Sequence, residues 1–201
     1  MHANPFIREV KLTKAQAKLL RNAEKALNEE TDRQLDIINH SAAIALYRYH
    51  GWNNEQIHNL IAVTSQAVWN ECAESKSESM IEMLWNEVGI ELMCEDKSER
   101  WFEVEYLCSD IEPRPQTIYQ RIGMRQNQVK WIAPQIMACM LMSLWRQEGW
   151  TDNGLARLYK EIESIKHDYD MDPDKLRQRC YEEVGFCITD EPEQYKEASN
   201  E

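Results

Sequence analysis

The sequence predicts an all-α protein that contains two copies of a three-helix module. Three observations support this fold class. The chain of 201 residues has only six glycines and six prolines, so few residues interrupt helical segments. Apolar residues recur every three or four positions along much of the chain, which is the period of one helix face. In addition, four of the six glycines occupy matched places in two stretches that resemble each other.

The two similar stretches align in order along the chain. Gly51-Trp52 matches Gly149-Trp150 at an offset of 98 residues, and the segment that ends at Gly89 matches the one that ends at Gly185 at an offset of 96. Ordered agreement of this length favours an internal duplication. We therefore predict a helical module 1 over residues 37–92 and a helical module 2 over residues 136–189.

A basic amphipathic helix is predicted before module 1, within residues 1–36. Thr13 is a suitable N-cap, and Gln16 stands three residues later as its capping-box partner. Apolar residues follow at helical spacing. These residues are Leu12, Ala15, Leu19, Ala23 and Leu27.

Each module is predicted to consist of a helix, a Gly-Trp turn, a second helix, a loop and a third helix that ends at glycine. Glycine stops a helix because it adopts the left-handed conformation without a Cβ clash. The expected N-caps of the second and third helices are Asn53 and Ser79 in module 1, and Thr151 and Asp172 in module 2. Trp52 and Trp150 are expected to fill the core beside their turns.

Residues 93–135 form a predicted connector, and residues 190–201 an acidic tail. The connector's first part, 93–117, is compatible with a helix or a strand, and the two alternatives stay open. The longest apolar run is about half of the roughly 20 residues that a membrane span needs. The six cysteines show no CxxC pair, and the N-terminus has no apolar leader, so we expect free thiols in the cytoplasm and no membrane contact.

The net charge of −12 is distributed unevenly. Residues 51–100 and 151–201 each carry −7, whereas residues 1–50 carry +2 and residues 101–150 are neutral. No acidic residue lies between Glu112 and Glu148, a window that contains five basic residues. The average charge excludes a nucleic-acid footprint over the whole surface, but two basic segments alternate with the two acidic blocks.

No enzymatic signature is present. The sequence lacks GxSxG, P-loop, GxGxxG and HExxH motifs and any Cys/His set with zinc spacing. Glu55 and His58 form one ExxH step of the kind found in di-iron bundles, but module 2 lacks the second step that such a site needs. We therefore expect neither an enzyme nor a bound cofactor or metal ion.

Acidic residues of the modules are candidate contacts for a basic partner. Carboxylates can take the place of phosphates in the cationic groove of a nucleic-acid enzyme and so compete with nucleic acid. The candidates are Glu71, Glu74, Glu78 and Glu82 in module 1, and Asp168, Asp170, Asp172 and Asp174 in module 2. The four aspartates resemble a calcium loop, but the glycine and final glutamate of an EF-hand are misplaced, so we expect a solvated acidic loop.

Two segments resemble a helix-turn-helix in the spacing of their apolar residues: 57–68, with Ala62 at the turn, and 118–129, with Gly123 at the turn. Acidic residues follow the first segment and repel phosphate, whereas the second offers side chains that suit base edges and the nucleic-acid backbone. The candidate nucleic-acid-binding residues are Arg114, Arg121, Arg125, Gln126, Asn127, Gln128 and Lys130. A core helix with a polar face is the alternative interpretation.

The repeated pattern resembles a module of small helical accessory proteins from phages and mobile elements of Firmicutes. In the first copy the pattern is Leu46-Tyr47 followed by Gly51-Trp52. In the second copy it runs from Leu144 to Tyr159 and ends at Val184-Gly185-Phe186. The resemblance implies a phage or prophage setting, in which such proteins include anti-CRISPR inhibitors and regulators. The leading hypothesis is therefore a non-enzymatic protein that binds and inhibits a host protein or nucleoprotein. The alternative is a helix-turn-helix-like regulator that binds nucleic acid through residues 113–130.

Overall fold

The computed structural model of the protein describes residues 12–73, 79–92 and 118–185. These residues form helices and no strand, which confirms the predicted all-α class. The helices are α1 (Lys14–His50), α2 (Asn54–Ala73), α3 (Met80–Val88), α4 (Ile118–Gln147), α5 (Asp152–Asp168) and α6 (Pro173–Val184). The open choice between helix and strand for 93–117 lies outside the described residues, as does the tail.

The predicted N-caps are confirmed. Thr13 and Gln16 form a complete capping box at the start of α1. Asn53 and Gln56 exchange the same two hydrogen bonds before α2, each with a length of 3.0 Å. Three more residues cap helices through a side-chain oxygen that accepts a backbone N–H. They are Ser79 before α3, Thr151 before α5 and Asp172 before α6.

The four matched glycines end their helices as predicted. Each has a positive φ between 66° and 82°, in the left-handed region. After Gly51, the Trp52 N–H donates to the Leu46 carbonyl oxygen at 3.2 Å. After Gly149, the Trp150 N–H donates to the Leu144 oxygen at 3.3 Å. The two Gly-Trp turns therefore have the same hydrogen-bonded geometry at matched positions.

Helices α1 and α4 run through the predicted boundaries of the modules. The boundary between residues 36 and 37 lies inside α1, which continues without a break from Lys14 to His50. The boundary between residues 135 and 136 lies inside α4, and Pro134 does not end that helix. The N-terminal amphipathic helix and the first helix of module 1 are thus one element, since both carry a continuous helical period.

The core lies around α1 and α4. Residues 37–46 of α1 and 136–144 of α4 are buried on every face, as expected of helices that neighbours surround. The rings of Trp52 and Trp150 meet edge to face just beyond the two helices, with centroids 5.9 Å apart. Because α1 and α4 pack extensively and their C-terminal ends meet, they run through the core in the same direction. Both tryptophans are half-buried and pack against the core from its edge rather than fill it.

The shorter helices are exchanged between the two halves. Helices α2 and α3 follow α1 in sequence but pack against α4, whereas α5 and α6 follow α4 but pack against α1. Helix α2 makes few contacts with α1, and α5 makes few with α4. A packed unit of the structure therefore combines the long helix of one half with the two short helices of the other.

Two ion pairs join the halves at matched positions. Arg48 of α1 binds Glu183 of α6, with N···O distances of 2.5 and 2.6 Å. Arg146 of α4 binds Glu87 of α3 at 2.5 Å. Arg146 lies 98 residues after Arg48, and Glu183 lies 96 residues after Glu87, which are the two offsets of the sequence repeat. The halves are thus equivalent at these positions, while their common origin by duplication stays a prediction.

Candidate partner-binding surfaces

The predicted acidic residues of module 2 form the connection between α5 and α6, which we call the acidic turn (residues 168–174). Asp168 is the last residue of α5, and Asp172 is the N-cap of α6. The Asp172 carboxylate accepts the Asp174 N–H at 2.9 Å and the Lys175 N–H at 3.3 Å. The turn therefore brings the four aspartates together within one short surface segment.

The backbone of the acidic turn is fixed in an uncommon conformation. Asp170 and Met171 have φ values of 57° and 52°, in the left-handed region that residues other than glycine rarely adopt. The Met171 N–H donates to the Lys166 carbonyl oxygen at 2.8 Å, and the Met171 oxygen accepts from Arg33 Nη1 at 3.4 Å. These bonds attach the turn both to the end of α5 and to α1.

The four carboxylates differ in their partners. Asp170 accepts a hydrogen bond from Lys175 at 2.8 Å, which lowers the pKa of Asp170 and raises that of Lys175. Asp174 pairs with Arg177 at 3.2 Å. Asp168 is exposed and has no ion-pair partner among the residues that the structure describes. Only part of the negative charge of the turn is thus compensated within the described structure.

The acidic residues predicted for module 1 are mostly outside the description. Glu82 lies at the third position of α3, where its N–H donates to Ser79 Oγ at 3.2 Å. Its side chain is half-buried rather than presented to solvent. Glu71 lies on α2, but its side chain is outside the described part, as are Glu74 and Glu78 altogether. Of the four acidic residues predicted for module 1, Glu82 is the one whose side chain the structure describes.

The helix-turn-helix prediction is wrong for both segments, because neither contains a turn. Residues 57–68 lie within α2, which continues through Ala62, and residues 118–129 lie within α4, which continues through Gly123. The spacing of apolar residues that resembles a helix-turn-helix is also the spacing of one uninterrupted helix. Glycine inside a helix costs only about 1 kcal/mol relative to alanine, so Gly123 does not force a turn.

Apart from Arg114, the candidate nucleic-acid-binding residues are therefore arranged along one helix. Their backbone lies in the first half of α4, and Lys130 is half-buried where α4 enters the core. Arg114 and the other side chains lie outside the described part of the chain. These side chains are Arg121, Arg125, Gln126, Asn127 and Gln128. A recognition helix that crosses a first helix at Gly123 is excluded.

The junction of the two halves contains a polar cluster that the sequence did not indicate. His50 at the end of α1 contacts Glu161 of α5 through Nε2 and Oε2, 2.7 Å apart. Arg157 Nε donates to the other Glu161 oxygen at 2.8 Å, and the His50 ring lies 4.9 Å from that of Trp150. His50 and Glu161 are separated by 111 residues, so no local pattern could have linked them.

The described residues offer no group of three His, Cys, Asp or Glu side chains that could hold a metal ion. Cys139 and Cys180 are buried thiols without a disulfide. Within the same part of the chain, no helix has the length and apolar character that crossing a bilayer requires.

Comparisons with protein-family models, curated proteins and solved structures give no match for this chain. The resemblance to helical accessory proteins of phages and mobile elements therefore stays a prediction.

Proposed function

We propose that the protein is a non-enzymatic binding protein that acts in the cytoplasm on a host protein or nucleoprotein and inhibits it. In this proposal the acidic turn enters a cationic groove that the partner uses for nucleic acid. One observation carries the proposal: Asp168 is exposed at the C-terminus of α5, where the stability of the helix does not account for a carboxylate and no ion pair within the described residues offsets it.

Helix electrostatics divide the aspartates into two groups. Asp172 and Asp174 lie at the N-terminus of α6, where the helix dipole favours negative charge and the Asp172 carboxylate caps free N–H groups. Asp168 lies at the C-terminus of α5, where the dipole disfavours a negative charge by about 0.5 kcal/mol. The fold thus explains the first group but not Asp168.

Backbone strain points to the same segment. Asp170 has the left-handed conformation of a helix C-cap, since the Met171 and Asp170 N–H groups donate back to Lys166 and His167. Met171 is left-handed as well, which costs it about 1 to 2 kcal/mol. Places where a protein keeps charge and conformation against its local stability are often functional. A held turn also loses little conformational entropy on binding, which favours it as a rigid contact for arginine and lysine.

The proposed setting follows from the resemblance rather than from the fold. Small helical proteins of phages include inhibitors of host defence, and a protein of the anti-CRISPR type would act on a nucleoprotein. A held row of carboxylates suits such a partner, because its nucleic-acid groove is rich in arginine and lysine that bind oxygen anions.

The proposal is tested by capture from a host lysate with the full chain and with a variant that carries Asp168→Asn and Asp170→Asn. The matched control carries Glu55→Gln and Glu148→Gln, two exposed acids on α2 and after α4. We expect wild type and control to recover one stoichiometric protein that the Asp168/Asp170 variant loses. Added nucleic acid of the partner should displace the captured protein. Recovery of no stoichiometric protein, or equal recovery by all three chains, would contradict the proposal.

A further inference from the structure

The N-terminal part of α1 extends beyond the core and carries a second charged surface. We call residues 14–33 the α1 arm, because the first fully buried side chain of the helix is Gln34. On the arm, Lys14, Lys18, Arg21 and Lys25 are all exposed. At 100° per residue they fall within about 60° of one another around the helix axis, so they form one basic stripe.

The basic stripe faces away from the apolar side of the arm. Leu20, Ala23 and Leu27 are half-buried and lie on the opposite side of the helix. Of the stripe, Lys25 makes an ion pair with Glu29 at 3.3 Å, and both side chains remain largely in solvent. The exposed Asp32 lies on the same line nearer the core, so the cationic surface is limited to residues 14–25, and no apolar residue lies within it.

One member of the stripe is placed unfavourably for the helix itself. Lys14 is the first residue of α1, and its first turn contains no acidic residue to compensate. Positive charge near a helix N-terminus opposes the dipole. As with Asp168, the local stability of the helix does not explain why this charge is there.

The acidic turn lies at the base of the arm. Arg33, the last residue of the arm, donates to the Met171 oxygen of that turn. At 1.5 Å per residue, Lys25 lies about 12 Å along the axis from Arg33 and Lys14 about 28 Å. By the helical period Arg33 lies about 90° around the axis from the middle of the stripe, so the acidic turn lies at the base of the arm, about a quarter turn from the stripe.

We propose that the basic stripe binds the phosphate backbone of the nucleic acid within the nucleoprotein partner, a step that rests on the proposed function. The acidic turn then occupies the groove that nucleic acid would otherwise fill, and the stripe contacts the part of the nucleic acid that lies outside that groove. The cations follow each other about 4.5 to 6 Å apart along the axis, and their flexible side chains can reach separate phosphates of one strand. A stripe without apolar residues does not suit insertion into a lipid surface, which needs an apolar face beside the charges.

The stripe binds by charge and reads no sequence. Lysine is a flexible point charge, and phosphate contacts fix position without base recognition. Each contacted phosphate contributes about 0.9 to the slope of log affinity against log salt, so four contacts give a slope of about 3 to 4. Because the whole chain is acidic, this binding is visible mainly at low salt.

The test is fluorescence anisotropy of the full chain with a labelled duplex and a labelled single strand, each of about 20 nucleotides, over about 25 to 200 mM salt. The variant carries Lys14→Gln, Lys18→Gln and Arg21→Gln, and glutamine preserves the helix. Lys160→Gln, an exposed lysine on α5, is the matched control, and Arg21→Lys keeps the charge. We expect the triple variant to lose about tenfold or more in affinity at low salt and most of the salt slope. Lys160→Gln and Arg21→Lys should bind like wild type.

Several results would overturn the proposal. The stripe is not a nucleic-acid site if the wild-type chain binds neither the duplex nor the single strand at low salt. The same conclusion follows if the triple variant binds them as tightly as wild type does. Binding to vesicles with anionic lipid that depends on the same three residues assigns the stripe to a membrane surface instead.

Failure of the proposed function is distinguishable from failure of this inference. The Asp168→Asn, Asp170→Asn variant should keep its affinity for free nucleic acid while it loses the captured protein. A wild-type chain that captures a protein but shows no stripe-dependent binding supports the first proposal and contradicts the second.

Discussion

Arg48 and Arg146 lie at matched positions of the two halves, and each binds the matched glutamate of the other half. Their surroundings differ. In the Arg48–Glu183 pair the side chains are 25% and 18% exposed, whereas in the Arg146–Glu87 pair they are 45% and 41% exposed. Burial removes water that would otherwise weaken the interaction between charges. The two pairs therefore share a position but not an energetic role.

The more buried pair is also part of a larger network. Arg48 donates to Tyr169 Oη at 3.4 Å, and Arg179 forms a second ion pair with Glu183. The hydrogen bond from Arg48 holds the pKa of Glu183 below its usual range, and the same bond raises the pKa of Arg48. The comparison indicates that α6 is held on α1 by charge as well as by packing, whereas α3 is held on α4 mainly by packing.

The strongest test of the equivalence of the halves is their core. Leu46 and Leu144 are both buried and both accept the Trp N–H of their turn. Replacement of either leucine by alanine should reduce the free energy of unfolding by about 3 kcal/mol, through lost burial and a cavity. Urea denaturation measures the free energy of unfolding of both variants. A loss below about 1 kcal/mol at one position only would show that the halves are not packed alike.

Substitution of the two arginines should reduce the free energy of unfolding by different amounts. Arg48→Met leaves Glu183 without its main hydrogen-bond donor, and we expect it to destabilise the protein by about 2 kcal/mol. Arg146→Met removes an exposed pair and should cost about 0.5 kcal/mol. Denaturation midpoints with unchanged slopes report the difference. Equal losses would mean that the burial difference has no energetic effect.

Acid should act first on the α1 side of the core. His40 is fully buried, its Nδ1–H donates to the Asp36 carbonyl oxygen at 2.7 Å, and its matched residue in α4 is Ala138. Burial holds the pKa of His40 below its usual range, although the bond to Asp36 opposes this. The unfolded chain therefore takes up a proton below about pH 6.5 that the folded chain does not.

Stability should accordingly fall as the pH drops from about 6.5 towards the folded pKa of His40, with a slope of at most about 1.4 kcal/mol per pH unit. His40→Gln should flatten this part of the profile. A profile that is the same in wild type and His40→Gln would contradict the assignment.

The two Gly-Trp turns should lose similar stability when their glycine is replaced by alanine. Gly51 and Gly149 have φ values of 68° and 66°, and an added Cβ at either would meet no atom within 4 Å. Alanine at each position should therefore cost about 1 kcal/mol from the left-handed conformation alone. Thermal unfolding would show equal shifts. A clearly larger loss at one turn would reveal a constraint that the matched geometry does not contain.

The smallest expected effect is a gain. Asp168→Asn removes a negative charge from the C-terminus of α5 and should stabilise the protein by about 0.5 kcal/mol at low salt. Glu148→Gln is a control outside any helix. A loss of stability in Asp168→Asn would show that the fold needs this carboxylate, which removes the main support for a functional acidic turn.

Local features of the fold could be predicted because they depend on neighbouring residues. The caps at Thr13 and Asn53 and the stop at Gly51 follow from side chains within a few positions of the helix end. The helix-turn-helix at Gly123 was wrong because its apolar spacing is common to one long helix. The acidic turn was visible as a run of aspartates, but not its left-handed backbone or its contact with Arg33.

Long-range features could not be predicted for a different reason. A repeat makes Glu87 and Glu183 look alike, so the sequence does not say which of them binds Arg48. Packing of a module on itself and exchange between modules bury similar surfaces, and only the connections between helices distinguish them. The contact between His50 and Glu161 depends on that exchange and was missed with it.

Double-mutant cycles on the charged pairs test the exchange most directly. One cycle combines Arg48→Met with Glu183→Gln, and the other combines Arg48→Met with Glu87→Gln, the partner that a self-contained module would use. We predict a coupling energy of about 1 to 2 kcal/mol in the first cycle and a value within about 0.5 kcal/mol of zero in the second. Coupling of Arg48 to Glu87, with none to Glu183, would contradict the exchanged arrangement.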